Sequence, residues 1–223
     1  MNIAERLNSI KSELPENVRL VAVSKFHEVS VIKAAYDAGQ RIFGESRVQE
    51  LTSKYEQLPK DIEWHFIGHL QVNKIKYIVP FIDTIESVDS IDLLNKIDKQ
   101  ASKFNRKIKI MMQIHIAQEE HKYGFSYEEI SEFFENNLIR NYPNLQLIGL
   151  MGMATFTDEM GQIRAEFSKL GDFFRQVKAQ YFNQDNQFNE LSIGMSDDYP
   201  IAIEEGSSLI RVGSKIFGTR NHY

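Results

Sequence analysis

The chain has 223 residues, a net charge of −5 and no cysteine. This length suffices for one large α/β barrel or two small domains. The missing cysteines exclude disulfides, thiolate catalysis and cysteine–metal sites, and the dispersed basic residues form no nucleic-acid-binding pattern. No apolar run approaches the roughly 20 residues that a membrane span requires. We therefore expect a cytoplasmic protein that contacts neither nucleic acid nor membranes.

The apolar periodicity predicts strands and helices in alternation. After an amphipathic helix over residues 1–13, the predicted strands span 18–24, 41–45, 62–68, 81–87, 107–116, 145–151, 188–193 and 208–212. The predicted helices span about 29–38, 46–58, 73–79, 90–104, 126–138, 156–181 and 199–205. Two serine capping boxes, Ser46 with Gln49 and Ser126 with Glu129, are predicted to begin two of these helices.

Eight strand–helix units with short links predict a parallel sheet with right-handed crossovers. Closure of eight such units gives a (β/α)8 TIM barrel, and an open doubly wound sheet is the alternative. No composition shift, internal repeat or low-complexity segment marks a domain boundary. We therefore predict a single barrel domain over residues 1–223.

The first predicted strand, a run of apolar and β-branched residues, is followed by a lysine, Lys25. Such runs are typical of strands buried on both faces, and α/β folds place their chemistry at the carboxyl ends of the strands. Partial burial there favours the neutral, nucleophilic form of an amine, which suits a Schiff base with an aldehyde or ketone. A lysine that extends into solvent is the alternative interpretation.

The loops after the seventh and eighth predicted strands carry Gly194, Ser196, Gly213 and Ser214. Barrels commonly bind phosphate with these two loops, through backbone N–H groups and hydroxyls; ordinary glycine turns are the alternative. We expect this phosphate cup on the wall of the barrel mouth opposite the lysine. A ligand with both a carbonyl and a phosphate would fit, such as pyridoxal 5′-phosphate (PLP) or an aldolase's sugar phosphate. Arg211 is placed to reach a ring nitrogen.

Two further motifs carry less weight. His65 and His69 are four residues apart, but no third ligand has motif spacing and Gly68 interrupts any helix, so we predict no metal site. The glycines at 213 and 218 have the spacing of a P-loop, but Thr219 stands at the position of its lysine. We therefore predict no nucleoside triphosphate site.

Six segments carry a resemblance to a known family. They read AVSK (22–25), FGESRVQE (43–50), WHFIGHLQVNK (64–74), GLM (149–151), LSIGMSDD (191–198) and IRVGSKIFG (210–218). On these segments, which extend over nearly the whole chain, the sequence resembles the YggS/PROSC family of PLP homeostasis proteins.

The resemblance implies a barrel like the amino-terminal domain of bacterial alanine racemase, with PLP as the cofactor. It implies a Schiff base on Lys25, phosphate contacts from Ser196, Gly213 and Ser214, and a pyridine nitrogen facing Arg211. The full set of predicted cofactor contacts is Lys25, Ser46, Met195, Ser196, Arg211, Gly213 and Ser214.

The family also implies a carrier or buffer of the cofactor without established turnover, with apo forms of PLP-dependent enzymes as expected recipients. Because the sequence ends at Tyr223, we expect no second domain of the kind that a racemase of this type needs. We also expect Arg211 at the ring nitrogen to weaken the ring's ability to withdraw electrons. A racemase or lyase is the alternative, as is an aldolase that uses Glu45. Ser46 replaces the family's usual asparagine, and we expect a monomer.

Overall fold

The computed structural model describes residues 1–119 and 123–218, and eight parallel strands form a closed barrel in sequential order. The strands are β1 (Arg19–Val23), β2 (Ile42–Glu45), β3 (Glu63–Phe66), β4 (Thr84–Val88), β5 (Ile108–Ile114), β6 (Leu145–Gly152), β7 (Glu190–Ser192) and β8 (Leu209–Val212). β8 pairs with β1, with Arg19 opposite Leu209, and this pairing closes the ring. The barrel prediction is confirmed, and the open sheet is excluded.

The helices follow the strands in the expected alternation. They are α1 (Ile3–Glu13), α2 (Val29–Asp37), α3 (Val48–Gln57), α4 (Ile75–Ile78), α5 (Ile91–Lys103), α6 (Tyr127–Glu135), α7 (Met160–Tyr181), α8 (Tyr199–Glu204) and α9 (Ser214–Phe217). β7 has three residues where six were predicted, and α9 was not predicted. None of the helices in the described part of the chain has the length and apolar character to cross a membrane.

One of the two predicted capping boxes is confirmed. Ser126 accepts a hydrogen bond from the backbone N–H of Glu129, whose carboxylate accepts one from the Ser126 N–H. The box predicted at Ser46 is wrong, because α3 begins one residue later and Arg47 is its extended N-cap residue, with no side-chain capping bond. The backbone of Ser46 instead packs closely against Gly68, where an added Cβ would lie 2.6 Å from the Ser46 carbonyl oxygen.

Apolar side chains fill two regions. The larger core lies between the sheet and the helices and includes the fully buried Trp64, Phe43 and Phe167. A smaller cluster, which includes Val21 and Met111, lies inside the barrel. The alternation of side chains along each strand therefore places one apolar cluster inside the barrel and the larger core outside it.

Candidate functional site

A cavity of about 230 Å³ lies at the carboxyl ends of β1, β7 and β8. Six of the predicted cofactor contacts line it: Lys25, Met195, Ser196, Arg211, Gly213 and Ser214. A larger groove of about 680 Å³ lies beside α6 and α7, and His115 and Ile116 after β5 also line it. Parallel barrels have their chemistry at the carboxyl ends of their strands, and the smaller cavity joins the ends of three neighbouring strands, β7, β8 and β1. The smaller cavity is therefore the candidate site.

Lys25 and the residues of the predicted phosphate cup lie side by side, not on opposite walls as expected. β8 is the direct neighbour of β1, and an added Cβ at Gly213 would lie 3.0 Å from the Val23 carbonyl oxygen. Glycine therefore lets the loop after β8 approach the end of β1. The Gly213 N–H donates a hydrogen bond to the Ser196 hydroxyl oxygen at 3.2 Å, which brings the loops after β7 and β8 together.

Ser46, the remaining predicted contact, is not among the described residues that line the cavity. It follows β2 and packs against the loop after β3, as described above. A contact from Ser46 to a cofactor stays a prediction.

Arg211 is buried and points into a polar network inside the barrel. Its guanidinium donates hydrogen bonds to the Ser192 carbonyl oxygen at 2.8 Å, to the Ser192 hydroxyl, and to the Gly152 carbonyl oxygen at 2.9 Å. Ser192 in turn donates to Glu86 Oε2 at 2.6 Å, and His65 Nδ1 lies 2.6 Å from Glu86 Oε1. We call His65, Glu86, Ser192 and Arg211 the arginine network.

The charges in the arginine network compensate one another. Burial alone would raise the pKa of Glu86, but its contacts with His65, Arg211 and Ser192 outweigh burial and hold that pKa below its ordinary value. Burial lowers the pKa of Arg211, and the nearby Glu86 carboxylate opposes this effect. The closest approach of the two charged groups is 3.8 Å, between Arg211 and Glu86 Oε2. Glu86 is therefore the counter-charge that keeps Arg211 in place.

A second polar cluster lies on the outer side of β1 and β2, against α3. The Ser24 hydroxyl donates to Glu45 Oε1 at 2.6 Å, and the Lys54 ammonium donates to the same oxygen at 2.7 Å. Lys54 also donates to Glu50 Oε1 at 2.5 Å. We call Ser24, Glu45, Glu50 and Lys54 the lysine cluster. Glu45 is not among the described residues that line the cavity, which removes the support for its part in an aldolase relay.

Burial raises the pKa of Glu45 to about 6, although Lys54 and Ser24 act in the opposite direction. Sequence reasoning missed Glu50 and Lys54, whose only signal is their spacing of four residues on one helix. It also missed Glu86, whose signal is a carboxylate in the middle of a short predicted strand. His65 was expected to pack or hydrogen-bond, and its contact with Glu86 agrees with this expectation.

Glu63, His65 and Asp83 place three possible ligand atoms within 4.8 Å of one another, towards the amino ends of β3 and β4. The Lys109 ammonium already lies 3.2 Å from Asp83 Oδ1. His69 pairs separately with Asp89 at 2.8 Å, so the two histidines do not converge. The absence of a metal site stays a prediction.

The residues of the cavity suit a phosphorylated aldehyde. Lys25 supplies an amine, Ser196 and Ser214 supply hydroxyls, and Gly213 supplies backbone clearance beside them. Arg211 adds a buried cation whose orientation is fixed by its hydrogen bonds. This donor set fits PLP. The aldehyde of PLP needs an amine, its phosphate needs hydroxyl or amide donors, and its ring nitrogen needs one further donor.

Comparisons with known proteins agree with this reading. The family model for the alanine racemase N-terminal domain matches residues 1–221. The pyridoxal phosphate homeostasis protein of Haemophilus influenzae is 37% identical over 235 residues, covering 100% of this chain and 98% of the relative. The human protein of the same name is 36% identical, covering 99% of this chain and 85% of its own length.

Solved structures give the same grouping. PipY of Synechococcus elongatus PCC7942 without PLP has a TM-score of 0.91 at 37% identity, covering 97% of this chain and 100% of PipY. PipY with PLP bound has a TM-score of 0.87. An alanine racemase of Clostridium difficile shares the fold at 17% identity and a TM-score of 0.75, covering 99% of this chain and 57% of the racemase. The chain therefore belongs to the pyridoxal phosphate homeostasis protein family, on the barrel of the alanine racemase N-terminal domain.

Proposed function

We propose that this chain binds PLP at the barrel mouth and serves to store the cofactor and deliver it to enzymes. The observation that carries the proposal is one cavity lined by Lys25 together with Ser196, Gly213 and Ser214. The names of the relatives and the PLP-bound structure of PipY support it. In this proposal residues 1–223 act as a single cofactor-binding domain.

Each side chain has a defined part in this proposal. The Lys25 nitrogen bonds to the aldehyde carbon, and the aldehyde oxygen leaves as water. Ser196 and Ser214 bind the phosphate through their hydroxyls, with backbone N–H groups beside Gly213. The Arg211 guanidinium donates a hydrogen bond to the ring nitrogen. Because arginine keeps its proton, the ring nitrogen stays unprotonated and the ring withdraws electrons less strongly. This arrangement favours binding over turnover.

An amino-acid racemase or lyase is the second candidate, favoured by the barrel that this chain shares with alanine racemases. The two candidates differ in α-proton exchange when amino acids are added in deuterated water. We expect no appreciable exchange from the loaded protein, and rapid exchange that disappears in Lys25→Ala would favour the enzyme.

The carrier function is tested with the purified protein and added PLP. We expect imine absorbance in the wild type, its loss in Lys25→Ala, and its retention in the control Lys33→Ala on α2. We further expect the loaded wild type to activate an apo PLP-dependent enzyme, acting as a cytoplasmic monomer without membrane or nucleic acid. Imine absorbance that persists in Lys25→Ala, or cofactor that never reaches the apo-enzyme, would contradict the proposal.

A further inference from the structure

The two peptide groups on either side of Lys25 are both held by the lysine cluster. On the amino side, the Ser24 carbonyl oxygen accepts a hydrogen bond from the Lys54 ammonium at 2.8 Å. On the carboxyl side, the Phe26 N–H donates to Glu50 Oε1. Lys54 also donates to this Glu50 oxygen, so the two contacts share one ion pair. Contacts on the outer side of the sheet, next to α3, thus fix the backbone of Lys25, the proposed cofactor lysine.

Lys54 has no freedom to take another orientation. It is only 4% exposed, and a buried ammonium is costly unless its donors are paired. A lysine ammonium has three donors, and the three contacts with Ser24, Glu45 and Glu50 use all of them.

Phe26, the residue after Lys25, adopts an unfavourable backbone conformation that neighbouring contacts must stabilise. Phe26 has a φ of +69°, in the left-handed region that residues with a Cβ avoid. The other two non-glycine residues with positive φ in the described ranges are Asn105 and Asn137, and asparagine tolerates this region. The Phe26 side chain is 47% exposed, so burial in the core does not fix it. Its backbone bond to Glu50 stabilises the turn.

We propose that Lys54 is a positioning residue for Lys25: together with Glu50 it fixes the left-handed turn at Phe26 and so aims the Lys25 amine into the cavity. The inference rests on the proposed function, because it concerns the amine that would bond to PLP. Bond formation between an amine and an aldehyde depends on their alignment, and small displacements of a reacting group slow such steps strongly.

The test separates imine formation from cofactor binding. Lys54→Met keeps an unbranched side chain, one heavy atom shorter, but removes the three donors of the ammonium. Lys33→Met, at an exposed position of α2, is the matched control. We expect Lys54→Met to form the imine roughly ten- to a hundredfold more slowly. Pyridoxamine 5′-phosphate, which has no aldehyde, should bind this variant about as tightly as the wild type, because the phosphate cup is intact.

A rescue variant distinguishes positioning from general stability. Glycine enters the positive-φ region without a steric penalty, so Phe26→Gly in the Lys54→Met background should restore part of the lost rate. If Lys54→Met does not fold, Glu50→Ala, at a side chain 21% exposed, removes the Phe26 contact and the Lys54–Glu50 ion pair but leaves Lys54 bound to Ser24 and Glu45. This variant should slow imine formation in the same way.

The outcomes are distinguishable from a failure of the proposed function. A wild type that forms no imine on Lys25 overturns the function itself. A wild type that forms the imine, with a Lys54→Met variant equally fast, overturns only the positioning role. Equal losses of imine formation and of pyridoxamine phosphate binding, without rescue by Phe26→Gly, would also overturn it.

Discussion

The arginine network and the lysine cluster each contain a fully buried glutamate, yet the two carboxyl groups differ in pKa. Both oxygens of Glu86 have partners, and its pKa is lowered. Glu45 uses one oxygen for Ser24 and Lys54, while its buried Oε2 has no hydrogen-bond partner among the described residues, and its pKa is raised to about 6. Burial is the same, so the number and charge of the partners decide the direction of the shift.

The difference in pKa between Glu86 and Glu45 separates the roles of the two clusters beside the cavity. The arginine network balances its charges inside the barrel and so holds Arg211 in one orientation. The lysine cluster has two carboxylates for one ammonium, and it supports the backbone beside Lys25. We therefore expect the first to act mainly on stability and the second to respond to pH in the range where Glu45 titrates.

The largest expected effect comes from breaking the arginine network. Glu86→Ala leaves the Arg211 guanidinium buried without its counter-charge, and removing one member of a buried ion pair costs about 3–5 kcal/mol. Urea unfolding should show this loss in the free energy of unfolding. The control Glu204→Ala removes an exposed partner of Arg164 and should change the free energy of unfolding far less, because solvent screens surface ion pairs. Similar losses in both variants would contradict the compensating role of Glu86.

The phosphate cup next to the arginine network gives the second effect. Ser196→Ala and Ser214→Ala each remove one hydroxyl, and a hydrogen bond to a charged group contributes about 1.5–3 kcal/mol. We expect each variant to bind PLP more weakly by that amount, while its affinity for phosphate-free pyridoxal is unchanged. Calorimetric titration with both ligands measures the difference. Equal weakening for the two ligands would remove the support for the cup.

The third effect concerns the pH dependence that the lysine cluster should produce. Because its folded pKa of about 6 exceeds the ordinary 4.5, Glu45 binds its proton more tightly in the native state. Its contribution to stability is complete below about pH 4.5 and is lost as the pH rises through 6, a decline of about 2 kcal/mol.

The matched comparison for this pH dependence is Glu45→Gln, which cannot ionise. The free energy of unfolding of the wild type should fall relative to the variant between pH 4.5 and 7. Denaturant unfolding across this range measures the difference, which cancels the titration of all other groups. Parallel stability curves for the two proteins would show that Glu45 has an ordinary pKa.

The sequence was sufficient for the barrel, because strand and helix periodicities alternate clearly along the chain. It was also sufficient to bring Lys25 and the two glycine–serine loops to one cavity, because strand ends converge at one end of any such barrel. Their contacts with a cofactor stay predictions. The sequence placed the cup opposite the lysine, although closure of the predicted barrel already makes β8 the direct neighbour of β1.

Contacts between distant segments account for the other misses. Glu86 and Ser192 are 106 residues apart and meet only inside the closed barrel. Ser46 and Gln49 are the right residue types for a capping box. However, the Ser46 backbone packs against Gly68, and α3 begins one residue later than predicted. Local capping signals are weak compared with tertiary contacts of this kind, and the box at Ser126 forms as predicted.

Lys25 is the residue proposed to bond to PLP. Borohydride reduction of the PLP-loaded protein fixes the imine as a stable secondary amine, and peptide mapping by mass spectrometry then identifies the modified lysine. We predict a single pyridoxyl phosphate group on Lys25 in the wild type and none in Lys25→Ala. Modification of Lys74 or Lys215 instead, with Lys25 unmodified, would contradict the account.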